Sequence, residues 1–196
     1  NSHPHVSQNG KIAVVHNGII ENYLEIREFL QEKGVQFTSQ TDSEVVAQLM
    51  EYCMGLPEVS TVSDALYMVL HRIEGAYALG ILCSDDPDHI YAARKDAPLL
   101  LGFGKGENFI ASDVTALVSH TKNVVYLDDG ELAEVRADSY TVFDCTGKPI
   151  EKPVSRVAWD IEAAEKGGYP HFMFKEIMEQ PKAVADTVTP RIKNNA

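Results

Sequence analysis

Residues 14–22 of the chain read VVHNGIIEN, in which an apolar run leads through an Asn17-Gly18 pair to Asn22. The apolar run is typical of a buried strand, and Asn22 is a favourable N-cap for a helix. The following apolar residues recur at helical spacing, and Gly34 provides a helix stop. This stretch therefore predicts a strand that runs through the Asn-Gly pair into a helix.

A second Asn-Gly pair, Asn9-Gly10, lies just upstream between two short runs of strand character, residues 5–7 and 11–15. We expect a hairpin there, with the pair at the left-handed positions of its turn. By the same rule Asn17-Gly18 is compatible with a type I′ turn. The alternative, a side-chain amide directed at a substrate, stays open at this point.

Two more helices are predicted downstream. Residues 41–44 read TDSE, which has the Thr-x-x-Glu form of a capping box, and an apolar stripe follows to Cys53. Residues 61–74 carry apolar side chains at helical spacing, and Gly75 ends that helix.

From residue 76 the pattern changes to short apolar or alternating runs separated by turn residues. Seven strands are predicted, at 76–83, 89–94, 99–102, 109–111, 124–127, 131–136 and 140–144. Early helices and late, closely connected strands predict an α+β layered domain with mostly antiparallel strands. We assign this domain to residues 1–150. Residues 151–196 form an extension with a short helix at 172–180, ended by Pro181, and a linker from Pro190.

Composition excludes several classes of protein. The 196 residues carry a formal net charge of −12 without clustered Lys and Arg, which argues against a nucleic-acid partner. No apolar run approaches the ~18 residues of a membrane span. The three cysteines lie far apart, without the spacing of a zinc site or a disulfide framework, so we expect a reducing, cytoplasmic location.

Three histidines near the start, His3, His5 and His16, suggest a metal-dependent hydrolase as an alternative. No Cys, Asp or Glu completes a familiar ligand spacing with them. We therefore expect no metal ion and no cofactor, and stoichiometric zinc would be needed to keep this alternative.

Several segments together resemble the glutaminase domain of the glutamine:fructose-6-phosphate aminotransferase family. Besides VVHNGIIEN they are NSHPH at 1–5, QTDSEV at 40–45, GAY at 75–77 and GENFIASD at 106–113. YPHFMFKEIMEQP at 169–181 resembles the segment leading to that family's sugar-phosphate isomerase domain. The resemblance covers nearly the whole chain.

The resemblance implies an N-terminal-nucleophile hydrolase, a four-layer αββα sandwich in which an amino-terminal cysteine attacks the glutamine side-chain amide, with its own α-amine as base. It assigns the oxyanion donors to the Asn17 side chain and the Gly18 backbone N–H. Asp42 would hold the α-amino group of glutamine, and His3 would contact the substrate pocket. A purely structural role for Asp42, as an acidic residue at a helix N-terminus, stays open beside this assignment.

The chain also departs from the family. The family's opening Cys-Gly-Ile, Arg-Gly-Tyr-Asp-Ser and Thr-Arg-Trp-Ala-Thr-His-Gly segments are absent, and the single Trp is Trp159. We therefore expect a domain truncated at its N-terminus that hydrolyses no glutamine alone. The resemblance implies a homodimeric parent that transfers ammonia from glutamine to fructose 6-phosphate through an absent isomerase domain, giving glucosamine 6-phosphate.

Two further alternatives are another class II glutamine amidotransferase and a non-catalytic interaction or ligand-sensing module that kept the fold. The residues after Gly18 and the 169–181 segment favour the sugar enzyme over other amidotransferases.

Overall fold

The VVHNGIIEN stretch forms most of strand β2 (Ile12–Ile20), and helix α1 (Tyr23–Glu32) follows it, as the sequence predicts. This computed structural model describes residues 2–157 and 167–192. The chain divides into two units, residues 1–157 and 158–196, and β2 lies near one edge of the larger sheet of the first unit. Trp159 and the linker residues 193–196 lie outside the described residues.

Two antiparallel sheets build the first unit. The strands that accompany β2 are β1 (His5–Val6), β3 (Gly75–Cys83), β4 (Asp86–Lys95), β5 (Leu100–Phe103), β6 (Asn108–Ala111), β7 (Asn123–Tyr126), β8 (Leu132–Val135), β9 (Tyr140–Phe143), β10 (Pro149–Ile150) and β11 (Ser155–Arg156). Among the described residues, sheet 1 has the strand order β1-β2-β3-β4-β8-β9-β10 and sheet 2 the order β11-β7-β5-β6. Each of the seven predicted strands is present, with ends shifted by at most three residues.

The helices and the two sheets stack in layers because their apolar faces pack against one another. Helices α1, α2 (Ser43–Met54) and α3 (Val62–Leu70) share one core with sheet 1, in which Leu30, Leu49, Leu66 and Ile81 are fully buried. A second core with many small side chains fills the space between the sheets. A short 3-10 turn (Val114–Ala116) covers part of the outer face of sheet 2. The order is helices, sheet 1, sheet 2 and a thin outer layer.

Two predicted helix caps use different chemistry from that expected. Asn22 is the N-cap residue of α1, but its side chain makes no cap bond; it donates to the Arg72 carbonyl and accepts from the Glu74 N–H. The capping box at 41–44 is also wrong. Helix α2 begins at Ser43, and the buried Glu44 carboxylate accepts hydrogen bonds from Thr38 and Ser39 in the preceding loop. In both cases donors and acceptors outside the predicted cap have displaced the local ones.

The ends of two other elements differ from the prediction. Helix α3 ends at Leu70 rather than at residue 74, because the Glu74 backbone bonds to the loop after β2, donating to Asn22 and accepting from Glu21. In the hairpin at Asn9-Gly10 only Gly10 has a positive φ, of 75°, so the turn is not the expected type I′.

In the second unit, helix α4 (Phe172–Val188) is longer than predicted. It continues through Pro181, so the loss of one backbone donor to the prolyl ring does not end it. None of the helices in the described residues is long and apolar enough to cross a membrane.

Candidate active site

Gly18 lies in the middle of a paired strand and not in a turn. In the antiparallel register of β2 and β3, Asn17 pairs with Ala78 and Gly18 with Tyr77. The turn interpretation of this Asn-Gly pair is therefore wrong. Gly18 has a φ of 130°, and a Cβ placed on it would lie 2.0 Å from the Ala76 carbonyl oxygen. Glycine is required there by both backbone conformation and close approach.

The Asn17 side chain lies on the opposite face of sheet 1 from the helices. Along β2 the residues Val14, His16 and Ile20 are buried, whereas Val15 and Asn17 are exposed, as expected for alternating faces of a strand. Asn17 lines a cleft of about 200 Å³ together with residues of both sheets, among them Val15, Leu99, Ile110 and Ser112. Its amide makes no hydrogen bond to the described part of the chain, and it is free to donate to a bound molecule.

Asp42 lies at the end of the strand that carries Asn17. Its Oδ2 accepts a hydrogen bond of 2.8 Å from the Ile20 backbone N–H, and it makes no side-chain cap bond to α2. Asp42 is the N-cap residue of α2, so its charge lies at the helix N-terminus as the structural alternative expects, and its hydrogen bond also ties it to β2. Within the described residues, Oδ1 has no hydrogen-bond partner, so one carboxylate oxygen remains for a ligand.

His16 joins the same two elements from the buried side. Its Nδ1 lies 2.8 Å from the Ser43 hydroxyl, and both residues are buried. Burial lowers the pKa of His16, and the neighbouring Asp42 carboxylate opposes this without reversing it, so the ring is neutral at pH 7. The Nε2 is also buried, and the Ala76 backbone is a further polar group beside the ring that opposes the lowering of its pKa.

His3 and His5 approach the start of helix α2. The two rings form an edge contact with centroids 5.5 Å apart, and His5 Nε2 lies 3.4 Å from the Thr41 hydroxyl. His3 is exposed, whereas burial lowers the pKa of His5. No group of three or more His, Cys, Asp or Glu suited to a metal ion occurs in residues 2–157 or 167–192.

None of the three cysteines lines the cleft beside Asn17. Cys53 in α2 and Cys83 in β3 are buried, and Cys145 is exposed in the turn after β9. Burial raises the pKa of the Cys53 thiol, which disfavours the nucleophilic thiolate.

The sequence predicted Glu44 only as a capping-box residue, and the structure gives it a different role. Its carboxylate, only 1 % exposed, accepts hydrogen bonds from the backbone N–H groups and hydroxyls of Thr38 and Ser39. Burial raises the pKa of Glu44, but these bonds outweigh it and lower the pKa overall. Glu44 thus fixes the loop before Asp42. A charged residue within a run of buried helix positions is the signal that could have indicated it.

The family model described as a glutamine amidotransferase domain matches residues 1–119. Three curated relatives are named glutamine--fructose-6-phosphate aminotransferase [isomerizing]. That of Caldanaerobacter subterraneus subsp. tengcongensis is 57% identical over 100% of this chain, and those of Clostridium tetani and Pyrococcus horikoshii are 47% and 48% identical over 98%. The chain spans 31–32% of the length of these relatives.

Two solved structures share the fold. The chain is similar to a glutamine phosphoribosylpyrophosphate amidotransferase from B. subtilis, with a TM-score of 0.54 and 24% identity over 80% of this chain and 31% of that one. It is equally similar to a structure titled as the allosteric regulatory enzyme of purine biosynthesis, with a TM-score of 0.54 and 23% identity over 83% of this chain and 32% of that one. The predicted α+β class and layered sandwich fold are confirmed.

Proposed function

Since the chain belongs to the glutamine amidotransferase domain family, we propose that it supplies the oxyanion-stabilising and α-amino-binding parts of a glutamine-hydrolysing site. The observation that carries this proposal is the Asn17-Gly18 pair. The Asn17 amide, which has no hydrogen-bond partner among residues 2–157 and 167–192, lies next to a glycine that the backbone requires, at the wall of an open cleft.

Hydrolysis of an amide passes through a tetrahedral intermediate whose oxygen is negatively charged. Donors already fixed where this charge develops stabilise the transition state more than the substrate, since they need no reorganisation. The Asn17 side-chain N–H and the Gly18 backbone N–H are the donors in this proposal. Strand pairing along β2 and β3 holds the Gly18 backbone in place before the substrate arrives.

Asp42 would bind the α-ammonium group of glutamine through Oδ1. Its other oxygen is held by the Ile20 N–H, which fixes the direction of the carboxylate. His3, exposed beside His5, would contact the substrate at the rim of the pocket. The substrate of this part of the protein is therefore glutamine, and its product is glutamate.

The reaction also needs a nucleophile and a base. Since none of the three cysteines lines the cleft, we expect the 196-residue chain to hydrolyse no glutamine by itself. In the resemblance drawn from the sequence, an amino-terminal cysteine supplies both the thiolate and, through its own α-amine, the base.

For a polypeptide of the relatives' full length, we propose the activity given in their names, transfer of the glutamine amide nitrogen to fructose 6-phosphate. Residues 1–150 would form the glutaminase domain, and residues 151–196 would lead to the sugar-phosphate isomerase domain. The sugar would bind only in that second domain, and the whole enzyme would be a cytoplasmic homodimer.

Asn17→Ala in the full-length polypeptide tests the oxyanion assignment. Removing one such donor should lower kcat for glutamine hydrolysis about 100-fold or more and leave KM nearly unchanged. Asn123→Ala is the matched control, because Asn123 is also an exposed asparagine on a strand. Full activity in Asn17→Ala would refute the assignment. Glutamine binding without hydrolysis by the unsubstituted protein would favour the ligand-sensing alternative.

A further inference from the structure

Three contacts hold residues 41–43, which we call the α2 entry segment, against the first strands of sheet 1. Thr41 lies beside His5 of β1, Asp42 accepts from the Ile20 N–H at the end of β2, and the Ser43 hydroxyl bonds His16 within β2. The last two contacts, each 2.8 Å, lie on either side of Asn17-Gly18 along the strand. The entry segment is thus anchored to the same strand that presents the proposed oxyanion donors.

We propose that His16 and Ser43 are positioning residues that set the separation between the α-amino-binding carboxylate of Asp42 and the oxyanion donors. This inference rests on the proposed function. Neither residue need touch the substrate. Both act through Asp42, since Ser43 adjoins Asp42 in the sequence and His16 anchors Ser43 to β2.

The distance along β2 between the oxyanion donors and Asp42 matches the distance between the two groups of glutamine that they would bind. Two residues of an extended strand, from Gly18 to Ile20, span about 7 Å. Glutamine in an extended conformation has the same scale between its side-chain amide and its α-ammonium group. With Asp42 tied to Ile20 and Ser43 tied to His16, the carboxylate has no freedom to slide along β2.

The buried environment of His16 argues that its hydrogen bond to Ser43 is what the ring contributes. The imidazole of His16 is buried, and placing its two polar nitrogens in the core costs free energy that an aliphatic residue would not cost. The ring lies on the helix side of sheet 1, where its neighbours Val14 and Ile20 along the same face are aliphatic and buried. Nδ1 to Ser43 is the polar contact that an aliphatic residue could not make.

This role predicts an effect confined to substrates that carry an α-ammonium group. Glutaramate, which is glutamine without its α-amino group, keeps the scissile amide but gives Asp42 nothing to bind. If Ser43 and His16 act only through Asp42, loosening them should impair the reaction of glutamine and leave that of glutaramate unchanged. A general loss of structure would impair both.

The experiment measures steady-state hydrolysis of glutamine and glutaramate by the full-length polypeptide and its Ser43→Ala variant. We expect KM for glutamine to rise about tenfold with kcat changed less than about twofold, and kcat/KM for glutaramate to stay the same. Ser63→Ala is the matched control. Ser63 is also a serine in the first turn of a helix, and its hydroxyl bonds Glu134 instead, so that variant should leave both substrates unaffected.

His16 gives an independent test if Ser43→Ala reduces folding. His16→Asn keeps a polar atom near the position of Nδ1 and should retain most of the affinity for glutamine, whereas His16→Leu should reproduce the tenfold rise in KM. Equal losses of kcat/KM for glutamine and glutaramate, or no change for either substrate, would overturn the inference. The proposed function would still stand if Asn17→Ala lowered kcat for glutamine. Unchanged kcat in Asn17→Ala would overturn both.

Discussion

The carbonyl oxygen of Ala76 lies 2.0 Å from the position that a Cβ would take on Gly18, and the next atom, the Ala76 carbonyl carbon, lies 2.8 Å from it. Both atoms belong to the backbone of β3, so no side-chain rotation relieves the overlap. Gly75 repeats the arrangement from the other strand, with the Ile19 carbonyl oxygen at 2.2 Å. The two strands therefore approach each other through two glycines beside the proposed site.

Gly18→Ala should destabilise the chain strongly. The φ of 130° is unfavourable for alanine, and the overlap with Ala76 requires the strands to separate, so we expect the free energy of unfolding to fall by about 3 kcal/mol or more. Urea denaturation of the 196-residue chain measures this directly. Gly10→Ala is the matched control.

Gly10 also has a positive φ, of 75°, but nothing lies within 4 Å of its Cβ position. Its substitution should cost only about 1 kcal/mol, from the left-handed conformation alone. Equal losses for the two variants would show that the close approach at Gly18 does not matter for stability.

Local patterns in the sequence predicted the strand-to-helix passage around Asn17-Gly18 because each step has a nearby signal. The apolar run, Asn22 and Gly34 all lie within about twenty residues, and the structure places β2 and α1 as expected. The family resemblance then added the chemistry that periodicity could not supply.

The partners of Asn22, Ser43 and Glu44 could not be predicted in this way. Ser43 bonds a residue 27 positions earlier, and the Asn22 side chain spans 50 and 52 positions. A Thr-x-x-Glu pattern favours a local cap, but backbone donors at 38 and 39 reach the same carboxylate once the loop folds back. Which donor wins depends on tertiary packing, which local spacing does not encode.

Asp42→Asn should separate the two roles of that residue. Asparagine keeps an acceptor oxygen for the Ile20 N–H, so the free energy of unfolding should change by less than about 1 kcal/mol. The negative charge needed for an α-ammonium group is lost, so KM for glutamine should rise about tenfold or more in the full-length polypeptide. Asp42→Ala should lower both stability and affinity. A normal KM in Asp42→Asn would contradict the binding role.

Glu44→Gln should make the stability of the chain less dependent on acid pH. The pKa of Glu44 is lower in the folded state than its ordinary value of 4.5, so its ionised form contributes fully above pH 4.5. That contribution is lost as the pH falls through the folded-state pKa. At pH 7 the variant should be less stable by about 1–3 kcal/mol, because amide hydrogens would face the donors of Thr38 and Ser39.

Urea denaturation of both proteins between pH 7 and pH 3 tests this, and the difference should shrink below pH 4.5. Glu28→Gln, on the exposed side of α1, should show no such narrowing. A difference between Glu44→Gln and the parent that stays constant with pH would contradict the assigned role of the charge.

Lys152→Met should destabilise the first unit through Glu131. The Lys152 ammonium bonds Glu131 and Asp128, and the Lys152 and Glu131 side chains are only 12% and 9% exposed. Removal of the lysine leaves the nearly buried Glu131 carboxylate without its cationic partner, with the Asp128 backbone N–H still donating to it, at a cost of about 2–3 kcal/mol. The double variant Lys152→Met/Glu131→Gln should be more stable than the sum of the single effects predicts, by about 1–2 kcal/mol.

The same ion pair predicts a response at high pH. Burial lowers the pKa of Lys152, but its bonds to Asp128 and Glu131 outweigh this and raise the pKa above 10.5. The stabilisation is therefore complete below pH 10.5 and is lost at higher pH. Lys11→Met, at an exposed pair with Asp85, should change stability little at any pH. Additive losses in the double-variant cycle would contradict direct coupling of Lys152 and Glu131.

The three cysteines differ in exposure, so their rates of alkylation can report local unfolding of the layers in which they lie. Cys145 is exposed, so an alkylating reagent should modify it at once, whereas Cys53 in α2 and Cys83 in β3 become reactive only when their layers open. Mass spectrometry of timed alkylation would then give separate opening rates for the helical layer and for the sheet beneath it. Comparing these rates with and without glutamine would show in which layer a bound substrate slows local unfolding.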